Sequence, residues 1–256
     1  MSTNNGSHTG GDKNFWRNKR VDNYDAIQTI LSEKKAVEQE NIARIINYFC
    51  DLYQIDNPSI LDIGCGPGTP ITLTRYILEK VPECSLVGAD GSEEMIAKFN
   101  ETLSSAYGGR FSGLVSDFNS DRFWEHEINR KFDFVISSSA LHYLSDQRRK
   151  PFFREVYEHL SDRGVFIAGI GLRADNHTIE EMEQTFRFEF TFNKMKEAGR
   201  ATNFTDFRHS AETKEAQAKI NWQSSDVWLS SIRDAGSSGA EIVWQVWVRS
   251  IFLAVK

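Results

Sequence analysis

The stretch ILDIGCGPGT, Ile60 to Thr69, runs a short apolar segment through an acid into three glycines at alternate positions. The residues SILDIG read as a buried strand. Gly64, Gly66 and Gly68 remove the Cβ atoms that would hold a ligand away from the turn behind it. In an open α/β sheet, ligands bind outside the carboxyl ends of the strands, most often at the first strand-to-helix turn. The stretch therefore asks for a sheet with an open ligand edge. Asp62, at the strand end, offers an acceptor to a cation or to N–H groups. No GKS or GKT follows, and Pro67 is expected where a helix N–H would otherwise face an anion. An acid beside such a turn suits a ligand with an ammonium group better than one with a pyrophosphate.

The rest of the chain alternates in the manner this turn requires. From Val21 to Tyr53 the apolar residues recur at helical spacing (Ile27, Ile30, Leu31, then Ile42, Ile45, Ile46, Phe49), which predicts two amphipathic helices before the glycine turn. A helix is expected over 71–80, closed by Pro82. The strand SLVGAD, Ser85 to Asp90, is followed by a helix from Ser92 to about Ala106, with Ser92 as N-cap and Glu93 and Glu94 in its first turn. Further strands are read at FSGLVSD, FDFVISSS and GVFIAGI, with a helix over 146–160. Near-continuous apolar strands between helices indicate a doubly wound, mostly parallel sheet. The tail AEIVWQVWVRSIFLAVK breaks the alternation. Two β-rich stretches with no room for a helix between them make the last strand antiparallel to its predecessor.

Composition bounds the function classes. The 256 residues are 40% hydrophobic and contain no apolar run near 18, enough for one core and too polar to predict a membrane span. A formal charge of −6 gives no footprint for a phosphate backbone, so nucleic acid is not expected as a partner. Cys50, Cys65 and Cys84 have neither disulfide-framework nor metal-ligand spacing, so no metal is expected and a reducing cytoplasm fits. The polar residues 1–14 read as a disordered leader without signal-peptide order. Residues 15–256 read as one domain, with N-terminal helices over 15–55 and an insertion over 171–223.

Taken together, LDIGCGPGT, LVGADGSEEMI, LVSDF, FDFVISSSALHYL and LSDRGVFIAGI, in this order, resemble the five core motifs of the class I S-adenosylmethionine-dependent methyltransferases. The order of parts is similar to the small-molecule branch containing trans-aconitate methyltransferase and carboxy-S-adenosylmethionine synthase. The resemblance implies a Rossmann-like seven-stranded sheet, S-adenosyl-L-methionine as cofactor and a small-molecule acceptor. It also implies residue roles. Asp62, Gly64, Cys65 and Gly66 face the methionine part, and Cys65 fills a small space in the turn rather than acting as nucleophile. Asp90 takes both ribose hydroxyls, with capping of the Ser92 helix as its plain structural alternative. Gly91 and Met95 flank ribose and adenine, and Gly91 stands where relatives often carry a larger residue. Asp117 accepts from the adenine amine and Phe118 offers its N–H, while a simple polar loop is the alternative for Asp117. Ser137 supplies a carbonyl near the methionine amine, and Tyr24 either closes over that end or packs on the core.

The acceptor side is read at His142 and Tyr143, directly after the fourth strand, with a buried, hydrogen-bonded histidine as the alternative for His142. The insertion is expected to be a lid, its helix opened by a capping box of Thr178 and Glu181 and running to about Gly199. Phe186 and Phe190 fall on one face of it and Phe188 and Phe192 on another, which suggests contact with substrate or with a second subunit of a homodimer. Two rival readings stand beside this one. A nicotinamide dehydrogenase would want GxGxxG, whereas here the third glycine comes one residue early. A non-catalytic cofactor-binding sensor would keep the same motifs.

Overall fold

In the computed structural model the described residues are 32–218, 220–237 and 239–256. The first helix, α1, spans Ser32–Tyr53. Ile42, Ile46 and Phe49 of the anticipated stripe are buried on one side of it, since residues three and four apart share a helix face. The helix expected around Ile27 to Leu31, the leader and Tyr24 lie outside the described residues.

From there strands and helices alternate as β1 (Ser59–Ile63), α2 (Leu73–Lys80), β2 (Ser85–Asp90), α3 (Glu93–Tyr107), β3 (Phe111–Val115), β4 (Phe132–Ser138), α4 (Asp146–His159) and β5 (Leu160–Gly171). Two insertion helices, α5 (His177–Glu197) and α6 (Phe204–Gln217), precede α7 (Ser225–Arg233), β6 (Gly239–Val246) and β7 (Arg249–Val255). The seven strands form one sheet in the order β3-β2-β1-β4-β5-β7-β6. The β1–β2, β1–β4, β2–β3 and β4–β5 pairs are parallel. β7 runs antiparallel to both β5 and β6. Val246 pairs with Arg249 across a two-residue turn, the reason no helix intervenes.

Strand order reverses between β1 and β4, which places the ligand edge beside the glycine turn. Both faces of the sheet are covered. Successive strand residues point to opposite faces, so Ile60, Leu86 and Phe134 join a core with α1, α2 and α3. Leu61, Val87 and Val135 join the opposite core with α4 and α7.

Several details depart from the sequence expectations. α2 begins at Leu73, with Thr72 as N-cap, so Pro67 sits in the loop and not at a helix start. α5 is capped by Asn176, whose side chain accepts from the N–H groups of Thr178 and Ile179, in place of the Thr178–Glu181 box. With its side-chain oxygen accepting two of the orphan N–H groups, Asn176 starts the helix two residues earlier and leaves Thr178 inside it. The insertion also holds a second helix, α6, docked through Phe192 against Phe204 and Phe207 at ring separations of 5.4 and 5.8 Å.

Candidate functional site

The C-terminal ends of β1, β2 and β3 bring the turn 64–68, Asp90 and Asp117 together. The N–H groups of Gly64 and Cys65 donate to the Ala89 carbonyl at 2.8 and 3.2 Å, folding the turn against β2. The Gly66 N–H donates to Asp90 Oδ2 at 3.1 Å, and the Ser92 N–H donates to Asp90 Oδ1 at 2.9 Å. Each carboxylate oxygen thus spends one lone pair on backbone and keeps another. The capping alternative for Asp90 is met in part, since its Oδ1 accepts from the Ser92 N–H while the Ser92 side chain is the N-cap of α3.

The three glycines have different reasons to be there. All three have positive φ. A Cβ on Gly64 would lie 2.2 Å from the Ala140 Cβ, and one on Gly68 would crowd Leu103 and Phe99 at 3.1–3.2 Å. These two are fixed by packing, contrary to the expectation that all three make way for a ligand. A Cβ on Gly66 would meet only Thr72 Cγ2, at 4.0 Å. Gly66 is the one of the three that packing does not fix.

Asp62 is buried, and Thr74 Oγ1 donates to its Oδ2 at 2.5 Å. Burial pushes its carboxyl up to about 7, the Thr74 hydrogen bond opposes this, and the neighbouring Asp90 charge adds to it. Asp90 is raised as well, by burial against the opposing Ser92 and Gly66 N–H bonds, with Asp117 adding. Carboxylates that destabilise one another in this way favour an ammonium or several donors in the space between them. Buried Cys65 has its thiol pushed far up by the same surroundings, so it is no nucleophile.

The adenine-side residues expected from sequence sit on the same edge. Asp117 Oδ1 accepts from the Asn119 N–H at 2.9 Å, so the polar-loop alternative accounts for one of its oxygens. Phe118 is buried, its ring 6.2 Å from that of Phe152. Met95 is buried in the first turn of α3, its N–H donating to the Ser92 cap. A Cβ on Gly91 would stand 3.7 Å from Asp117, ordinary contact, so packing admits an alanine there. Ser137 is fully buried and its hydroxyl donates to the Ile63 carbonyl at 2.8 Å, tying β4 to β1 beside Asp62.

His142 and Tyr143 lie in a 3-10 turn, Leu141–Tyr143, after β4. His142 is buried, and its Nδ1 makes no hydrogen bond among the described residues, so the hydrogen-bonded alternative is not met at that atom. Its ring stacks on Trp222 at 5.7 Å and 14° and lies 4.4 Å from the Tyr143 ring. Burial, then Arg249 and Lys35, push its imidazole down to about 3. It is a neutral ring at physiological pH and a poor proton acceptor.

Sequence reading missed the surroundings of this turn. The Asn221 N–H donates to the His142 carbonyl at 2.7 Å, and Asn221 Nδ2 donates to the Leu144 carbonyl at 3.0 Å. Residues 221–223 therefore belong to the core structure, not to a detachable lid. Glu38 and Arg249 also meet here, and Lys35 beside them is pushed down to about 8, first by burial, then by Arg249 against the opposing pull of Glu38. Among the described residues no group of three or more His, Cys, Asp or Glu side chains converges as metal ligands would, and no helix is long and apolar enough to cross a membrane.

Comparison with known proteins agrees with this architecture. Residues 60–164 match the family described as Methyltransferase domain. The carboxy-S-adenosyl-L-methionine synthase of Shewanella sp. is 24% identical over 153 residues, 58% of this chain and 59% of that protein. Its Campylobacter fetus counterpart is 27% identical over 142 residues, 52% of this chain and 56% of that protein. The chain thus spans less than two thirds of the length of these curated relatives. Among solved structures, magnesium protoporphyrin IX methyltransferase from Synechocystis superposes with a TM-score of 0.58 at 12% identity, over 95% of this chain and 94% of that one. At that identity the likeness is one of fold.

Proposed function

We propose that this chain, whose residues 60–164 match a methyltransferase domain, is a class I S-adenosylmethionine-dependent enzyme that moves a methyl group from S-adenosylmethionine to a small-molecule acceptor. The observation that carries this reading is the row of acids along the turn's edge. Asp90 accepts from the Gly66 N–H, its charge raises the Asp62 carboxyl, Asp117 raises that of Asp90, and a Cβ on Gly66 would meet nothing closer than Thr72 Cγ2. The residues fit the cofactor's parts. Asp62 and the 64–66 turn, Cys65 included, take the ammonium end, with Ser137 beside them. Asp90 takes the ribose hydroxyls on its remaining lone pairs. Gly91, Met95, Asp117 and Phe118 enclose the adenine.

When bound, the cofactor supplies an electrophilic methyl group on a sulfonium. The chain has to align an acceptor in line with it and keep water out. We assign the acceptor side to the His142–Tyr143 turn. Held neutral by burial and by nearby cations, His142 serves there as an oriented hydrogen-bond partner instead of a base that carries off a proton. The acceptor must then arrive already deprotonated, or lose its proton to water or to another group. The insertion helix α5 reaches this side through Trp222, whose ring stacks on His142 and has the Arg187 guanidinium of α5 5.4 Å from its centroid, and α6 packs on α5.

The test is a turnover screen. The protein is incubated with S-adenosylmethionine and a panel of small carboxylic acids, phenols, amines and thiols, and S-adenosylhomocysteine release is measured. Release with one class supports the reading and names the acceptor atom. Tight S-adenosylhomocysteine binding with no turnover across the panel favours the sensor alternative, and tighter binding of NAD favours the dehydrogenase.

A further inference from the structure

Glu38, on α1, is fully buried, and its partner Arg249 stands 211 residues away at the start of β7. Arg249 Nε donates to Glu38 Oε2 at 2.9 Å, and a second guanidinium nitrogen donates to the same oxygen. The remaining nitrogen donates to Ser139 Oγ at 2.8 Å, and Ser138 Oγ donates to Glu38 Oε1 at 2.6 Å. Two of these four hydrogen bonds join the pair to itself, and the other two tie it to Ser138, which ends β4, and to Ser139, which follows it.

Ser139 has φ +60, a left-handed conformation that a residue with a Cβ holds only when its surroundings impose it. Its N–H donates to the Gly169 carbonyl at 3.0 Å. Gly169 itself makes way for the pair, since a Cβ there would lie 2.1 Å from Glu38 Oε1. A buried ion pair is a poor device for stability alone, because the cost of desolvating two charges consumes most of their attraction. Here it spends its directed hydrogen bonds on a strained turn three residues before His142.

We propose that Glu38 and Arg249 are positioning residues for methyl transfer: they clamp Ser138 and Ser139 and so hold the turn that presents His142 to the acceptor. The inference rests on the assignment of that turn to the acceptor side.

The test uses the full chain with Arg249→Met, Arg249→Lys and Ser139→Gly. Ser139→Gly is the variant least able to unfold the protein, because glycine adopts positive φ without strain while losing the hydroxyl that Arg249 grips. Hydrogen exchange of the 139–143 amides, and the imidazole resonance of His142 in protein labelled at histidine, report the turn. That resonance is identified by its loss in His142→Gln. Ser139→Gly is expected to keep its melting temperature and its S-adenosylhomocysteine affinity within threefold, while protection of the 139–143 amides falls at least tenfold and the His142 resonance shifts. Arg249→Met should do the same with some loss of melting temperature. Arg249→Lys, which restores charge without the fork, should recover melting temperature and not protection. Unchanged protection and an unchanged His142 resonance in Ser139→Gly and Arg249→Met would overturn the proposal. So would a tenfold loss of S-adenosylhomocysteine affinity in Ser139→Gly, which would place the turn in the cofactor cradle. Failure of the wild-type protein to bind S-adenosylhomocysteine would instead overturn the methyltransferase reading, a separate and recognisable result.

Discussion

Replacing Asp62 with Asn separates what the site costs the free protein from what it gains on binding. Asp62 is 1% exposed, so solvent does little to screen it. Its carboxyl sits at about 7 against an ordinary value of 3.8, chiefly through burial. At about 1.4 kcal/mol per pH unit, that gap is a native-state penalty of about 4 kcal/mol once the group is ionised. The sign follows from proton linkage. The folded state holds this proton more tightly than the unfolded one, so the contribution of Asp62 is fully present below the unfolded pKa and is lost as pH rises towards 7. An asparagine keeps an oxygen for the Thr74 hydroxyl and removes the titration. Its amide must find an acceptor, which returns about 1–3 kcal/mol of the gain. Urea denaturation from pH 5 to 8.5 should show Asp62→Asn close to wild type at pH 5 and about 1–3 kcal/mol more stable above pH 7.5, after the amide cost. Its affinity for S-adenosylhomocysteine should fall, more at pH 8 than at pH 6, because only the ionised acid pairs with the ammonium. A stability difference that stays flat with pH, or that favours wild type at pH 8, would refute the argument.

Other perturbations follow from the same geometry. His142→Ala should lower turnover at least tenfold with cofactor affinity within threefold, and the pH profile of wild-type turnover should show no histidine-like inflection near 6.5, since burial holds this ring neutral. Gly64→Ala should destabilise by about 2–4 kcal/mol, combining a Cβ clash with left-handed strain. The double variant Gly64→Ala, Ala140→Gly should recover part of that in thermal denaturation, because the clash is with the Ala140 side chain. Replacing residues 175–219 by a glycine-serine linker, with Asn221 and Trp222 kept, should leave a folded protein that binds S-adenosylhomocysteine and has lost methyl transfer. Full activity in that variant would show that α5 and α6 serve another purpose, such as subunit contact.

What sequence reading could see depended on whether the cause was local. β2 ran from Ser85 to Asp90 as anticipated because an unbroken apolar run was bounded by polar residues on both sides. Ser92 capped α3 as expected because the signal lies within one turn. α6 escaped notice because its apolar contacts, Phe204 and Phe207, lie in its first turn against one residue of α5, leaving no stripe to read. The glycine turn was located correctly and explained only in part. Spacing cannot distinguish a glycine that admits a ligand, Gly66, from one that admits Ala140, Gly64. The Glu38–Arg249 pair had no local signature at all. Its nearest trace was Gly169, a glycine inside an otherwise apolar strand, which marks a close approach by something from elsewhere in the chain.

The central claim is that the carboxylates around Gly66 hold S-adenosylmethionine, and Asp90 tests it most directly. Its two oxygens accept from both the Gly66 turn and the start of α3. Loss of a charge-assisted contact to both ribose hydroxyls is worth about 1.5–3 kcal/mol, or roughly 10- to 150-fold in affinity. Calorimetric titration of S-adenosylhomocysteine should therefore show binding to the wild-type protein and a loss of that size in Asp90→Asn, with circular dichroism unchanged. Equal affinity in the two proteins, or no binding to the wild type, would contradict the account.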